Sequence, residues 1–184
     1  MKSKRVLMIA TVTALVSAVG GRALSGQQDK YTVKVPGGVA FSEFRGYEDW
    51  RVVSVSYDNG ALAVILANAV MIDAYRSGIP GNGKPFPDGS MMAKIHWTPK
   101  QLEIFPQAMV PGAQNNADFM VRDSKRFPDS GGWGWGAFER DASGTFRPAG
   151  AADKPPQGND AKCGFACHTI AKSRDYVFTE YGGR

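Results

Sequence analysis

Cys163, Cys167 and His168 fall within six residues, in Ala161-Lys162-Cys163-Gly164-Phe165-Ala166-Cys167-His168-Thr169, and they include both cysteines and one of the two histidines of the chain. Two thiols followed directly by an imidazole are the parts of a c-type haem attachment site. The thiols form thioethers with the porphyrin vinyl groups, and the histidine binds the iron on its proximal side. The usual spacing is C-x-x-C-H; here it is C-x-x-x-C-H, one residue longer. On a helix, thiols at i and i+4 still share a face, and Gly164 offers backbone freedom to absorb the extra residue. Two other readings stay open on these residues alone. A Cys163–Cys167 disulfide suits an exported protein, although it gives His168 no role. A mixed Cys/Cys/His metal site needs a fourth ligand, for which His96 is the other soft candidate.

With His168 on one side, a haem carries either a strong sixth ligand, which makes an electron carrier, or an open distal face, which makes a small-molecule site. Past residue 23, His96 and the methionines 71, 91, 92, 109 and 120 could supply that ligand. None of these methionines lies in a segment resembling an axial-ligand loop. The expectation is therefore an open, five-coordinate iron in a pocket walled by aromatics, with Phe41, Phe44, Tyr47 and Phe86 as candidate wall residues; their ordinary role is core packing. Lys94 and His96, two apart on one expected strand, share a face. His96 could serve there as a distal acid–base group, although a lone strand histidine is more often hydrogen-bonded at a surface.

These residues must be positioned by the elements around them. Apolar residues at 41, 44, 47 and 50 have the three-residue spacing of a helix or helical turn. Arg51 to Tyr57 alternates, Asp58-Asn59-Gly60 is a hairpin-type turn, and Ala61 to Leu66 returns as a second strand. A helix is predicted from about Asn68, a possible N-cap, to Ser77, with Gly78 and Pro80 as stop signals. Lys84 to Gly89 turns into a strand over Ser90 to Trp97, and further strands are predicted at Ala117 to Arg122, Gly132 to Arg140 and Thr145 to Phe146. A last helix, capped by Asn159 or Asp160, carries the haem motif. With strands in the middle and helices at the ends, the fold class is α+β: an antiparallel β-sheet domain flanked by a few helices. In Gly132-Trp133-Gly134-Trp135-Gly136, alternation puts the tryptophans on one face and bare glycine backbone on the other. Either a flat macrocycle lies on the glycine face, or the glycines admit a helix or second subunit while the tryptophans fill the core.

Residues 1–23 read as a signal peptide: a basic start (Lys2, Lys4, Arg5), an apolar run from Val6 to Val19, and a small-x-small site at Gly21-Arg22-Ala23. The run is short of the roughly 20 residues of a membrane span, although an uncleaved anchor is an alternative. The protein is then periplasmic, with no stable span after cleavage, and residues 24–184 form one domain. The leader carries four bases and no acid, so its removal takes the formal charge from +5 to +1. With no cluster of bases among aromatics beyond it, nucleic acid binding has no support.

Several blocks, in order, resemble the cytochrome P-460 family: Phe44 to Trp50, the Pro87-Asp88-Gly89-Ser90 turn into the Lys94 strand, Phe119 to Phe127 leading to Gly131-Gly132-Trp133-Gly134, and Cys163 to His168 continuing through Arg174-Asp175-Tyr176-Val177-Phe178-Thr179. The resemblance covers most of residues 40–181. It implies an exported mono-haem c-type protein of largely antiparallel β fold, often dimeric, so that a homodimer is expected. Cys163 and Cys167 would be the thioether sites of a covalently attached haem c, and His168 the ligand to its iron. The family's lysine bonded to the haem edge corresponds to Lys94, although a lysine at a strand end is ordinarily solvated. Its distal carboxylate has Asp118, Asp123 and Glu139 as candidates. The best-known members oxidise hydroxylamine, while the sister group, cytochrome c′-beta, binds nitric oxide and similar gases. Two functions follow, with six-coordinate electron transfer as a third. One is an oxidoreductase taking electrons from a small nitrogenous substrate to an external acceptor, with Lys94 and His96 as candidate catalytic residues. The other is a non-catalytic gas binder.

Overall fold

The two-residue alternation that starts at Arg51 builds a sheet. The structure, a computed structural model, describes residues 29–33, 35, 38–149 and 162–182, the last segment with side chains from residue 164 on. The leader and the expected caps Asn159 and Asp160 lie outside the described residues. Six strands, β1 (Arg51–Asp58), β2 (Ala61–Ala67), β3 (Met91–Leu102), β4 (Phe105–Arg122), β5 (Trp133–Arg140) and β6 (Phe146–Pro148), form one sheet in sequence order. Every neighbouring pair is antiparallel. With helices α1 (Ala69–Arg76) and α2 (Lys162–His168) beside it, this is the expected α+β architecture. The β1–β2 turn places Asn59 at φ 47° and Gly60 at φ 77°, the left-handed pair that a two-residue hairpin loop requires. Asn68 caps α1 by accepting from the Met71 N–H (3.1 Å), and its amide donates to the Gly89 carbonyl (2.8 Å), which ties the helix to the start of β3.

Both faces of the sheet are covered, because β3, β4 and β5 are apolar on both sides. On one face Ala93, Ile95, Phe119, Val121 and Phe138 pack against Phe41, Phe44 and Tyr47. Those three sit in two 3₁₀ turns, Phe41–Phe44 and Tyr47–Asp49, and the three-residue spacing in the sequence is the period of that helix. On the other face Met92, Met120, Trp133 and Trp135 pack with α1 and with Tyr176 and Val177.

Two expectations are corrected. The strands expected to end at Trp97 and to begin at Ala117 run on through a long β3–β4 hairpin in which Pro99 lies opposite Pro111. Proline is excluded from central strands, and β2 pairs with β3 only as far as Trp97 and β5 with β4 only as far as Asn116. Beyond those points each strand of the arm has a free outer edge, where a missing N–H costs no ladder bond. At Gly134 the glycine face of β5 is filled from the chain's own loop, which leaves no room there for a macrocycle, while the tryptophans are buried in the core as the other reading expects. A Cβ on Gly134 would lie 2.4 Å from the Phe127 ring, so this loop side chain already occupies the space. The tryptophan face is the one that looks toward α2.

Candidate functional site

Helix α2 lies on β5 through Gly164. A Cβ there would come within 2.5 Å of Trp135 Cγ and 2.6 Å of its Cβ, atoms close to the backbone that have little room to yield. Gly164 is in ordinary helical backbone, so its role is this close approach rather than the conformational freedom expected of it. Phe165 completes the seat, its ring centroid 5.8 Å from that of Trp135 and 5.9 Å from that of Tyr176. Gly164→Ala is therefore expected to lower stability by about 1–3 kcal/mol through overpacking, read by denaturant unfolding, while an exposed Ala166→Ser control leaves it unchanged.

His168 ends α2 with its ring 5.6 Å from Trp135 and 4.8 Å from Phe178. Its Nδ1 lies 2.6 Å from the backbone carbonyl of Tyr176. A carbonyl can only accept, so Nδ1 carries the proton and Nε2 presents its lone pair, the tautomer of a metal-ligating histidine. Burial holds the His168 pKa below its ordinary value, which keeps the ring neutral and ligand-competent at neutral pH. The Tyr176 carbonyl was not legible as a partner: it depends on Asp175 (φ 51°) and Tyr176 (φ 64°) both adopting the left-handed conformation.

Between α2, the segment from Val177 to Thr179 and the second face of the sheet lies a cavity of about 690 Å³. Cys167, a free and exposed thiol, and His168 line it from the helix. The backbone of Cys163 is in α2, and its side chain lies outside the described residues. The sheet wall follows from the register. One row runs Ser54, Ile65, Lys94, Asp118 across β1 to β4, and the next runs Ala67, Met92, Met120, Trp135 across β2 to β5. Lys94 Nζ lies 3.0 Å from Asp58 Oδ2, which lowers the Asp58 pKa, and both residues line the cavity. Asp118 lines it too. The Asn116 amide donates to both of its oxygens (3.1 and 3.0 Å), and His96 Nε2 is 3.0 Å from Oδ2 without a hydrogen-bonding alignment. His96 thus stands behind Asp118, on the face it shares with Lys94, and is not itself in the cavity wall.

The aromatic wall is a correction. Phe41, Phe44 and Tyr47 fill the core on the opposite face, and Phe86 packs against Tyr75 and Trp133 outside the cavity. The wall instead combines polar residues with aliphatic ones, and Phe119, Trp135 and Phe178 are its aromatic side chains beside His168. Among the candidate carboxylates, Asp123 caps the turn that follows β4 and Glu139 pairs with Arg147, which leaves Asp118. Asp58 carries no such signal in the sequence, where it reads simply as a turn residue. Of the methionines, Met92 and Met120 reach the cavity, while Met71 is in the core and Met109 is exposed.

The residues fit a haem. The cavity lies in the size range of cofactor sites; a thiol and a tautomer-fixed histidine enter it from one helix, and apolar side chains line the sheet wall toward Trp135. Trp135 Nε1, a buried donor on that wall, has no partner among the described residues. The alternative tetrahedral site loses its fourth ligand, since His96 is turned to Asp118. A family model described as Cytochrome P460 matches residues 44–179, from the first 3₁₀ turn through the whole sheet to the far side of the Tyr176 turn. No curated protein matches the chain.

Proposed function

Because this chain belongs to the cytochrome P460 family and is therefore a haem c cytochrome, we propose that it is an exported, periplasmic oxidoreductase of small nitrogen compounds, hydroxylamine being the substrate class its family resemblance favours. Cys163 and Cys167 hold the haem covalently in this reading, and His168 is the ligand to its iron. The bound haem supplies a redox-active iron that accepts electrons from a nitrogen donor and returns them to an external acceptor. The protein's own part is to bind, orient and deprotonate. Hydroxylamine gives up protons as it gives up electrons, and Asp118 supplies an acceptor in the cavity wall, held in one orientation by Asn116. Lys94 and Asp58 line the same wall, 3.0 Å apart, and His96 lies beside Asp118 without lining the cavity itself.

The observation that carries the proposal is the group of Asp58, Lys94 and Asp118 on a wall that is otherwise largely apolar. A gas binder that excludes proton chemistry has no use for a carboxylate there, whereas Asp118 stands in the wall with both oxygens accepting from Asn116. Reduction of an artificial acceptor on addition of hydroxylamine supports the oxidoreductase, while a stable adduct without reduction identifies a binder. The state of Lys94 supplies a second check. If its nitrogen is bonded to the macrocycle, as in the hydroxylamine-oxidising relatives, the intact holoprotein weighs two hydrogens less than polypeptide plus two-thioether haem, and the bond replaces the ion pair with Asp58. A mass equal to that sum leaves Lys94 free in its ion pair with Asp58 and favours the gas-binding relatives.

A further inference from the structure

We infer that Asp175 is a positioning residue for His168: with Arg122 it holds the left-handed turn that aims the Tyr176 carbonyl at Nδ1. The inference rests on His168 being the iron ligand. Two consecutive non-glycine residues in left-handed backbone are sterically costly and persist only where the surroundings over-determine them. Here the surroundings are specific. Asp175 Oδ2 accepts from the Phe86 N–H (2.8 Å), and Oδ1 lies 3.1 Å from Arg122 Nη1, which also donates to the Gly131 carbonyl (2.6 Å). The two charged side chains are only 11% and 12% exposed, so this is an interior anchor rather than a surface pair. Within the turn, the Asp175 N–H donates to the Lys172 carbonyl and the Tyr176 N–H to that of Ala171. The Tyr176 ring is pressed onto Gly131, where a Cβ would lie 2.3 Å from it. One carboxylate therefore ties the end of β4, the segment leading into β3 and the residue before Tyr176 to a common point.

The consequence is electronic as well as structural. The Nδ1–H bond to a fixed carbonyl fixes the tautomer and raises the basicity of Nε2. A displaced carbonyl weakens that bond and makes His168 a poorer electron donor, which favours ferrous over ferric iron. Asparagine, which tolerates the left-handed region and keeps an acceptor for Phe86, conserves the aim; alanine does neither.

The test compares holoprotein variants Asp175→Ala, Asp175→Asn and Arg122→Gln. Relative to wild type, Asp175→Ala should shift the ferrous iron–histidine Raman band to lower frequency and raise the midpoint potential. Asp175→Asn should restore both, and Arg122→Gln should fall between. An unmoved band and potential in Asp175→Ala overturn the inference, whatever the change in Tm. Should that variant fail to accumulate, Arg122→Gln decides by the same two readouts. A wild-type protein without an iron–histidine band would refute the ligand assignment instead. In that case the ring ¹⁵N shifts of His168 still decide: protonation fixed on Nδ1 in wild type and mixed in the variant supports the positioning role, and the same tautomer in both overturns it.

Discussion

Haem should stay with the wild-type polypeptide through acid-acetone extraction and denaturing electrophoresis, and leave completely for the solvent in the Cys163→Ser, Cys167→Ser double variant. The effect is all or none because a thioether is covalent, whereas axial ligation through His168 is lost when acid protonates the ring and denaturation opens the cavity. Cys167 is free and exposed on the cavity rim, directly before the ligand, so one attachment point is accessible without rearrangement of the sheet. Each single serine variant should keep one bond and retain colour through extraction, or fail in maturation. His168→Ala separates attachment from ligation. Its thioethers should survive extraction while the iron–histidine band disappears, and added imidazole should restore a band by occupying the space left beside Trp135 and Phe178. Quantitative extraction of colour from the wild-type protein would refute the covalent assignment outright.

The attachment residues were legible because the chemistry constrains adjacent positions, and the strands because their period is local. Asp58-Asn59-Gly60 announces its hairpin through residues that tolerate the left-handed conformation of a two-residue loop, and Asn68 its cap through a side chain that accepts from the backbone three residues on. Contacts distant in sequence were not legible. Nothing near Gly134 specifies that Phe127 will fill its face, and nothing near Gly164 specifies Trp135. The same limit misplaced the pocket wall: Phe41, Phe44 and Tyr47 were correctly read as one face of a helical turn, but which side of the sheet that face would cover is set by tertiary packing. Lys94 and His96 were placed on one face by alternation alone. The roles of Asp58 and Asp118 depend on cross-strand register, which pairs Lys94 with Asp118 and brings the β1–β2 turn over both.

That register yields the last large expected effect. Asp118→Asn should lower hydroxylamine turnover by about 10²–10⁴-fold, the usual contribution of a positioned general base, while leaving haem content and the rate of carbon monoxide binding to the ferrous protein unchanged. Asparagine matches aspartate in size and can still meet Asn116, so the wall keeps its shape; it cannot take up a proton. His96→Gln should cost less, since His96 lies behind Asp118 and acts through it, and the double variant should be no slower than Asp118→Asn alone if the two work as one unit. Lost turnover with unchanged gas binding places the defect in proton transfer. Turnover within about twofold of wild type in Asp118→Asn would clear this carboxylate. Asp58 would then be the next to substitute: it is the other carboxylate in the wall, and its hydrogen-bonded ion pair with Lys94 holds its pKa below the ordinary carboxylate value.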